Sequence, residues 1–443
     1  MSFVLRKTLA YGARSVPLRA PGSSRSSSRN RSPANSGRYA RRQATPIQRS
    51  GLGMRLAIFV DQVFRREGDT LSTDEPYILF PASFIESVDE IVFIGREARQ
   101  AGRGPYVLDH PAITLCPLPY YPNLYQLWRL SPRTFLEIRR RISEQARSWD
   151  AILIGGPHPI GQMIAKECIA LGVPVGLVVR QNLVQQMGAH RGLKRLAAMA
   201  AARALDWHFK RLARDRTVFT VGGDLTREYR RFSNRVHEHM PCLMRDAQLR
   251  TFAEMCSGSD PTRLICVGRL APEKGHQVLL EALAHLKQRG VRCHLEVVGT
   301  GPLEPELKAR SMTLGLSDTV TFHGFVSYGP ALFELYRQAG ALVLPSFTEG
   351  FPQVINESLC IGLPTIATAV GGIPLFLTDE ETAMLVPPGD VAALAGAIEQ
   401  VVRRPELRER LRSNGRKLMV DNTLEANRER MIGVLHAEVF KTA

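Results

Sequence analysis

Residues 341–368 read ALVLPSFTEGFPQVINESLCIGLPTIAT. Ala341–Leu344 is a short apolar run that Pro345 ends, the pattern of a buried strand. The run at 364–367 has the same character. Between them, 353–361 carries apolar residues at helical spacing. Pro352 suits the first helical turn, and Gly362 with Pro364 stops the helix. Strand, loop, helix and strand in this order make a parallel crossover. Glu349 stands in the loop and Glu357 just over one turn into the helix. The free N–H groups of the helix start, at Gln353 and Val354, make an anion site reinforced by the helix dipole. Carboxylates accept hydrogen bonds from hydroxyls. A phosphate at the helix start with a sugar on each side would account for both glutamates.

The same alternation runs through the chain from Met54. Strands are expected at 55–60, 90–94, 113–116, 151–154, 175–179 and 217–220, with helices at 76–88, 132–147, 159–171, 191–213 and 223–231. Residues 233–260 lose the rhythm and read as a linker. It restarts with strands at 263–268, 294–298, 319–322, 341–344 and 364–367. Helices fall at 275–289, 303–314, 330–338 and 353–361, then near 390–402, 405–417 and 424–440. The fold class is therefore α/β, with two Rossmann-like doubly wound domains facing a central cleft at the carboxyl ends of their strands. The expected division is an N-terminal acceptor-binding domain at 55–240, a linker at 241–260 and a donor-binding domain at 261–422. A C-terminal helix at 423–443 packs back toward the first domain.

Three further motifs lie at strand ends of the second half. VGRLAPEKG, 267–275, sends Arg269 and Lys274 out of the loop after Gly268; an Arg fork and a Lys point charge suit a diphosphate, and equally suit a solvated loop. VVGTGP, 297–302, lets backbone approach a ligand at Gly299. TFHGFV, 321–326, ends at Gly324, and its His323 alone fits a packed histidine as well as a catalyst. The GxGxxG dinucleotide fingerprint is absent, which counts against an NAD enzyme.

Taken together, GRLAPEKG, GTGP, HGFV, PSFTEGFPQVINES, GLPTIAT, AVGGIP and LVPPGD resemble, in order and spacing, the donor domain of the retaining glycosyltransferases of family 4, which have the GT-B fold and an E-x7-E motif. The resemblance covers roughly residues 263–390. It implies that Arg269 and Lys274 hold the nucleotide diphosphate, and that Glu349 binds donor-sugar hydroxyls. Gly350, Phe351, Pro352, Gln353 and Val354 would surround the distal phosphate, with Pro352 itself lacking an N–H. Glu357 would bind the nucleotide ribose and Val326 would lie beside the base. It implies transfer of a hexose-type sugar to a glycan or lipid-linked acceptor, without metal or other cofactor. The leaving phosphate takes the acceptor's proton, so neither glutamate is a nucleophile and the two-carboxylate scheme of glycoside hydrolysis does not apply. One departure stands out: where the family often places an acidic residue after GGIP, this chain has Leu375.

The first half is expected to hold the acceptor. WDAILIGGPHPIG, 149–161, carries His158 on a turn where relatives often place a functional histidine, about one position displaced. Arg180 stands where many relatives have a histidine. Asp61 and Arg65 follow the first strand and are candidates to meet the acceptor.

The formal charge of +16 is concentrated at the start. Residues 1–54 hold eleven Lys/Arg and no acid, so the other 389 residues carry only +5. That remainder fits anionic ligands or a membrane surface and does not call for nucleic acid. The basic tail reads as a transit peptide, as a segment ahead of a true start at Met54, or as a genuine tail. The stretch 190–216, with eight Lys/Arg and Trp207, fits either an anionic membrane surface or a domain helix with a solvated basic face. Seven cysteines without a CxxC read as reduced core thiols, not a metal site, in a cytoplasmic protein, peripheral at most at the inner membrane face. Two alternatives remain beside the transferase: a nucleotide-sugar epimerase on this fold, and a non-catalytic nucleotide-sugar binding protein.

Overall fold

The computed structural model describes residues 53–122, 127, 130–180, 183–184, 194–253 and 260–440; side chains are described from 199 onward in the helix beginning at 194. The basic tail lies outside the described residues.

The first lobe is built on a nine-stranded sheet. Its strands are β1 (Arg55–Glu67), β2 (Thr70–Thr73), β3 (Glu90–Glu97), β4 (Tyr106–Leu108), β5 (Ile113–Leu118), β6 (Ala151–Gly156), β7 (Val175–Val179), β8 (Val218–Thr220) and β9 (Val236–Glu238). β1 lies between β3 and β6, parallel to both, and the sheet continues through β7 and β8 to β9. Alternate residues of β1 feed opposite faces: Ala57 and Phe59 one core, Leu56 and Ile58 the other. The helices are α1 (Pro132–Ala146), α2 (Pro159–Ala170), α3 (Lys194–Leu212) and α4 (Gly223–Tyr229).

The second lobe has six strands: β10 (Arg263–Val267), β11 (His294–Val298), β12 (Val320–Gly324), β13 (Ala341–Leu344), β14 (Thr365–Thr368) and β15 (Met384–Val386). Their order is β12-β11-β10-β13-β14-β15, all parallel. After α5 (Asp246–Ala253), the helices are α6 (His276–Gln288), α7 (Glu304–Thr313), α8 (Pro330–Gln338), α9 (Gln353–Ile361), α10 (Val391–Arg403), α11 (Pro405–Val420) and α12 (Leu424–Glu438). α12 returns to the first lobe: Leu424, Met431, Ile432 and Leu435 share a core with Phe80 and Phe84. Glu438 accepts from Thr217 Oγ1 (2.9 Å) and meets His237 (2.9 Å).

Three expectations are corrected. β1 continues past residue 60 to Glu67, because its far end pairs antiparallel with β2 and a bulge between Phe59 and Val63 re-aims it. The helix expected at 76–88 is broken into short turns, with Pro76 and Pro81 removing donors. The linker is structured: β9 extends the first sheet, Met240, Cys242 and Met244 are buried in the second lobe, and α5 packs there through Leu249 and Phe252. No described helix is long and apolar enough to cross a membrane.

In each sheet the strand order reverses about its first strand, β1 or β10. A crevice opens there beyond the carboxyl ends, the usual ligand position in such sheets. Both crevices face one cleft.

Candidate active site

The second-lobe half is a cavity of about 230 Å³. Gly268, Arg269, Lys274, Glu349, Gly350, Phe351, Pro352, Gln353 and Val354 line it, and Arg180, Val221 and Pro241 close it from the other side. α9 begins at its wall. Pro352 occupies the N-cap and no side chain caps the helix, as is also the case for α4, α6, α7, α8 and α11. The uncapped first turn leaves backbone donors for a ligand.

Lys274 Nζ lies 2.6 Å from Glu349 Oε1, which also accepts from Ser346 Oγ (2.7 Å). Glu349 Oε2 has no partner among the described residues, so the carboxylate is fixed at one oxygen and open at the other. Two glycines let three loops meet here. Gly275, at φ +68°, lies so close to β13 that a Cβ would come 2.0 Å from Pro345 O. Gly371, at φ +57°, lies on the Glu349 backbone, where a Cβ would fall 1.8 Å from its carbonyl oxygen. Arg269 is at the rim, 68% exposed and paired with Glu273 at 2.5 Å.

Gly299, Val326 and Glu357 do not line this cavity. Gly299 supports it: its turn packs so tightly on Gly268 that a Cβ would come 2.0 Å from Gly268 O. Val326 packs on the second lobe's core. His323 pairs with Glu296 at 2.7 Å, away from the site. Glu357 lies one turn below Gln353 on the same face of α9. It is only 4% exposed, and Tyr336 Oη donates to its Oε2 (2.7 Å). Burial pushes its carboxyl up to about 7, against the opposing Tyr336 hydrogen bond. Gln353 and Asn356 both donate to Pro241 O, tying α9 to the linker.

The first-lobe half is a cavity of about 290 Å³. Asp61 sits in the β1 bulge and lines it with His158, Gln62, Glu75, Tyr77 and Arg180. Arg96 Nε lies 3.0 Å from Asp61 Oδ1, and Tyr121 Oη donates to the same atom (2.7 Å). His158 caps α2: its Nδ1 accepts from Gly161 N (3.4 Å), which leaves the proton on Nε2, 3.5 Å from Asp61 Oδ2. Burial would raise the Asp61 carboxyl, but the His158 hydrogen bond, the Arg96 charge and Tyr121 together hold it below its ordinary value. Arg96 and Tyr121 are missed by sequence reasoning; each reads as an ordinary strand-end or loop residue.

Arg65 does not reach this cavity. On the β1 extension its guanidinium pairs with Asp74 (2.8 Å) at the surface. Arg180 lines both cavities, its guanidinium stacked 3.4 Å over the Tyr77 ring. Leu375, the departure from the family pattern, packs across the cleft: a Cβ on Gly223 of the first lobe would meet it at 3.0 Å. In the basic stretch 190–216, residues 190–193 lie outside the described residues. α3 buries Phe209 and Leu212, and Lys210 is paired with Asp206 and Glu228 (2.5 Å). Arg203, Trp207 and Arg211 face outward.

Residues 252–418 match the family model of the group 1 glycosyl transferases. The chain is 36% identical over 176 residues to an alpha-D-kanosaminyltransferase of Streptomyces kanamyceticus, covering 39% of this chain and 44% of that protein. It is 36% identical over 164 residues to a D-inositol 3-phosphate glycosyltransferase of Actinosynnema mirum, covering 35% and 39%. The chain thus spans less than half the length of these curated relatives. Among solved structures, the sucrose-phosphate synthase of Thermosynechococcus elongatus superposes with a TM-score of 0.64 at 21% identity, covering 87% of this chain and 98% of that one. Anabaena Alr3699/HepE in complex with UDP-glucose superposes with a TM-score of 0.62 at 15% identity, covering 87% and 100%. The fold is that of the GT-B glycosyltransferases.

Proposed function

We propose that this chain is a retaining glycosyltransferase of family 4, moving a hexose-type sugar from a nucleoside diphosphate sugar to a glycan or lipid-linked acceptor without a metal. The observation that carries this is the uncapped start of α9 opening, beside Lys274 and Glu349, into a cavity whose opposite wall belongs to the first lobe. The matches to named glycosyltransferases and the likeness to a UDP-glucose complex support it.

The distal phosphate sits at the α9 amides with Lys274 beside it and Arg269 at the rim. As the bond from the sugar's anomeric carbon to the phosphate oxygen breaks, negative charge grows on that oxygen. Lys274 and the amides are already in place to meet it, which is where electrostatic preorganisation lowers a barrier. Glu349 Oε2 accepts from donor-sugar hydroxyls and orients the ring. An acceptor hydroxyl from the first-lobe cavity attacks the same face. Its oxygen bonds to the anomeric carbon, and its proton passes to the leaving phosphate oxygen. The Asp61–His158 pair positions that acceptor. For a lipid-linked acceptor, the outward Arg203, Trp207 and Arg211 are the face of α3 that would meet an anionic membrane.

The full chain incubated in EDTA with UDP-glucose, GDP-mannose and ADP-glucose tests this. One donor is expected to release its nucleoside diphosphate to water, with the freed sugar appearing first as the α anomer by proton NMR. A β anomer first, or no cleavage of any donor, would overturn the proposal.

A further inference from the structure

The first-lobe cavity has a wall that the transfer chemistry does not use. Gln62, in the β1 bulge beside Asp61, is 4% exposed. Its Nε2 donates to Glu75 Oε2 (3.2 Å), while its own Oε1 is buried and accepts nothing. Glu75 Oε1 likewise has no partner among the described residues. Two acceptor atoms are therefore left without donors on two side chains that hydrogen-bond to each other, one of them more than nine-tenths buried. Leaving a buried amide oxygen unpaired is costly, so a ligand that supplies O–H donors gains at both atoms.

Size and charge narrow the ligand. About 290 Å³ lies at the small end for ligand sites and takes a single ring, not a chain. Phe80, Phe84 and Met431 supply an apolar flank for the C–H face of such a ring. Arg96 holds Asp61, and Arg180 lies over Tyr77, where its charge acts on Glu75. Two carboxylates, Asp61 and Glu75, line the cavity beside the single stacked guanidinium of Arg180, so the lining favours hydroxyl donors over a further anion.

We propose that Gln62 and Glu75 determine acceptor specificity, and that the group they take is one uncharged polyhydroxylated ring, a hexose or cyclitol, offering two neighbouring hydroxyls. This rests on the transferase reading above and adds the acceptor class. Both residues act through recognition of the acceptor.

The test uses the full chain with the donor that it hydrolyses. Myo-inositol and D-glucose are supplied as probes, beside inositol 3-phosphate and glucose 6-phosphate. At least one neutral ring is expected to speed nucleotide release about tenfold over water, and to outdo its phosphorylated form. Gln62→Leu and Glu75→Gln are each expected to raise KM for that ring about tenfold, with a smaller change in kcat. A cooperative thermal melt close to that of the parent shows that each variant is folded. Preference for a phosphorylated ring, an unchanged KM in both variants, or no acceleration by any neutral ring would overturn the inference while donor hydrolysis persists. Absence of donor cleavage would instead remove the transferase reading, and this inference with it.

Discussion

Lys274→Ala is expected to lower the transfer kcat by about 10² to 10³-fold, the usual cost of removing one preorganised group from a developing oxyanion. Lys274 is also the partner of Glu349, whose side chain is 8% exposed against 22% for the lysine. Removing the cation leaves a nearly buried carboxylate unpaired. The pair lies between the surface and fully buried limits, so stability is expected to fall on the order of 2 kcal/mol. The two effects separate in the double variant Lys274→Ala, Glu349→Gln. Its melting temperature recovers toward that of the parent because no bare charge remains, while kcat stays low. Turnover and thermal melting measured together check this. A double variant that regained turnover would show that Lys274 serves only to neutralise Glu349.

Glu357→Gln is expected to stabilise the protein while weakening nucleotide binding. The folded carboxyl titrates near 7, well above the ordinary 4.5. Below about pH 4.5 the carboxyl is protonated in both folded and unfolded chains, and burial costs it nothing extra. As pH rises from there through 7 the unfolded chain ionises first, and the folded state loses about 3 kcal/mol. Glutamine carries no such charge. The variant should therefore match the parent near pH 4.5 and exceed it by about 3 kcal/mol at pH 8, read from denaturant melts at each pH. The family resemblance implies that ribose hydroxyls of a bound nucleotide donate into an ionised Glu357, one turn below the cavity wall at Gln353. Nucleotide affinity of the parent should then rise with pH up to about 7 and flatten, while the variant binds about tenfold more weakly at pH 8. Parallel stability curves for parent and variant would refute the buried-charge explanation.

The second lobe is almost wholly legible in the sequence. Its strands are continuous apolar runs, and its helices carry Pro at their starts or Gly at their ends, so the expected bounds fall within a few residues of those observed. Its cavity-lining residues come in short motifs at strand ends, where a parallel sheet must present them. The first lobe is less legible for a physical reason. Asp61, Arg96, Tyr121 and His158 come from four separate segments and meet only through tertiary packing. The polar Asp61–Gln62 step looks like the end of a strand, whereas it is a bulge inside one. Glu357 is read correctly as a helix residue, but its burial against Tyr336 depends on a neighbouring helix that no local pattern reveals. Leu375 has no meaning in its own short helical turn, Ile373–Phe376; it acquires one from Gly223 in the other lobe.

The most direct measurement is a calorimetric titration of the full chain in EDTA with UDP, GDP and ADP, beside Lys274→Ala. One nucleotide is expected to bind without metal, at least tenfold more weakly in the variant. A folded protein that bound none of the three, or bound one equally well without Lys274, would contradict a diphosphate site at the start of α9.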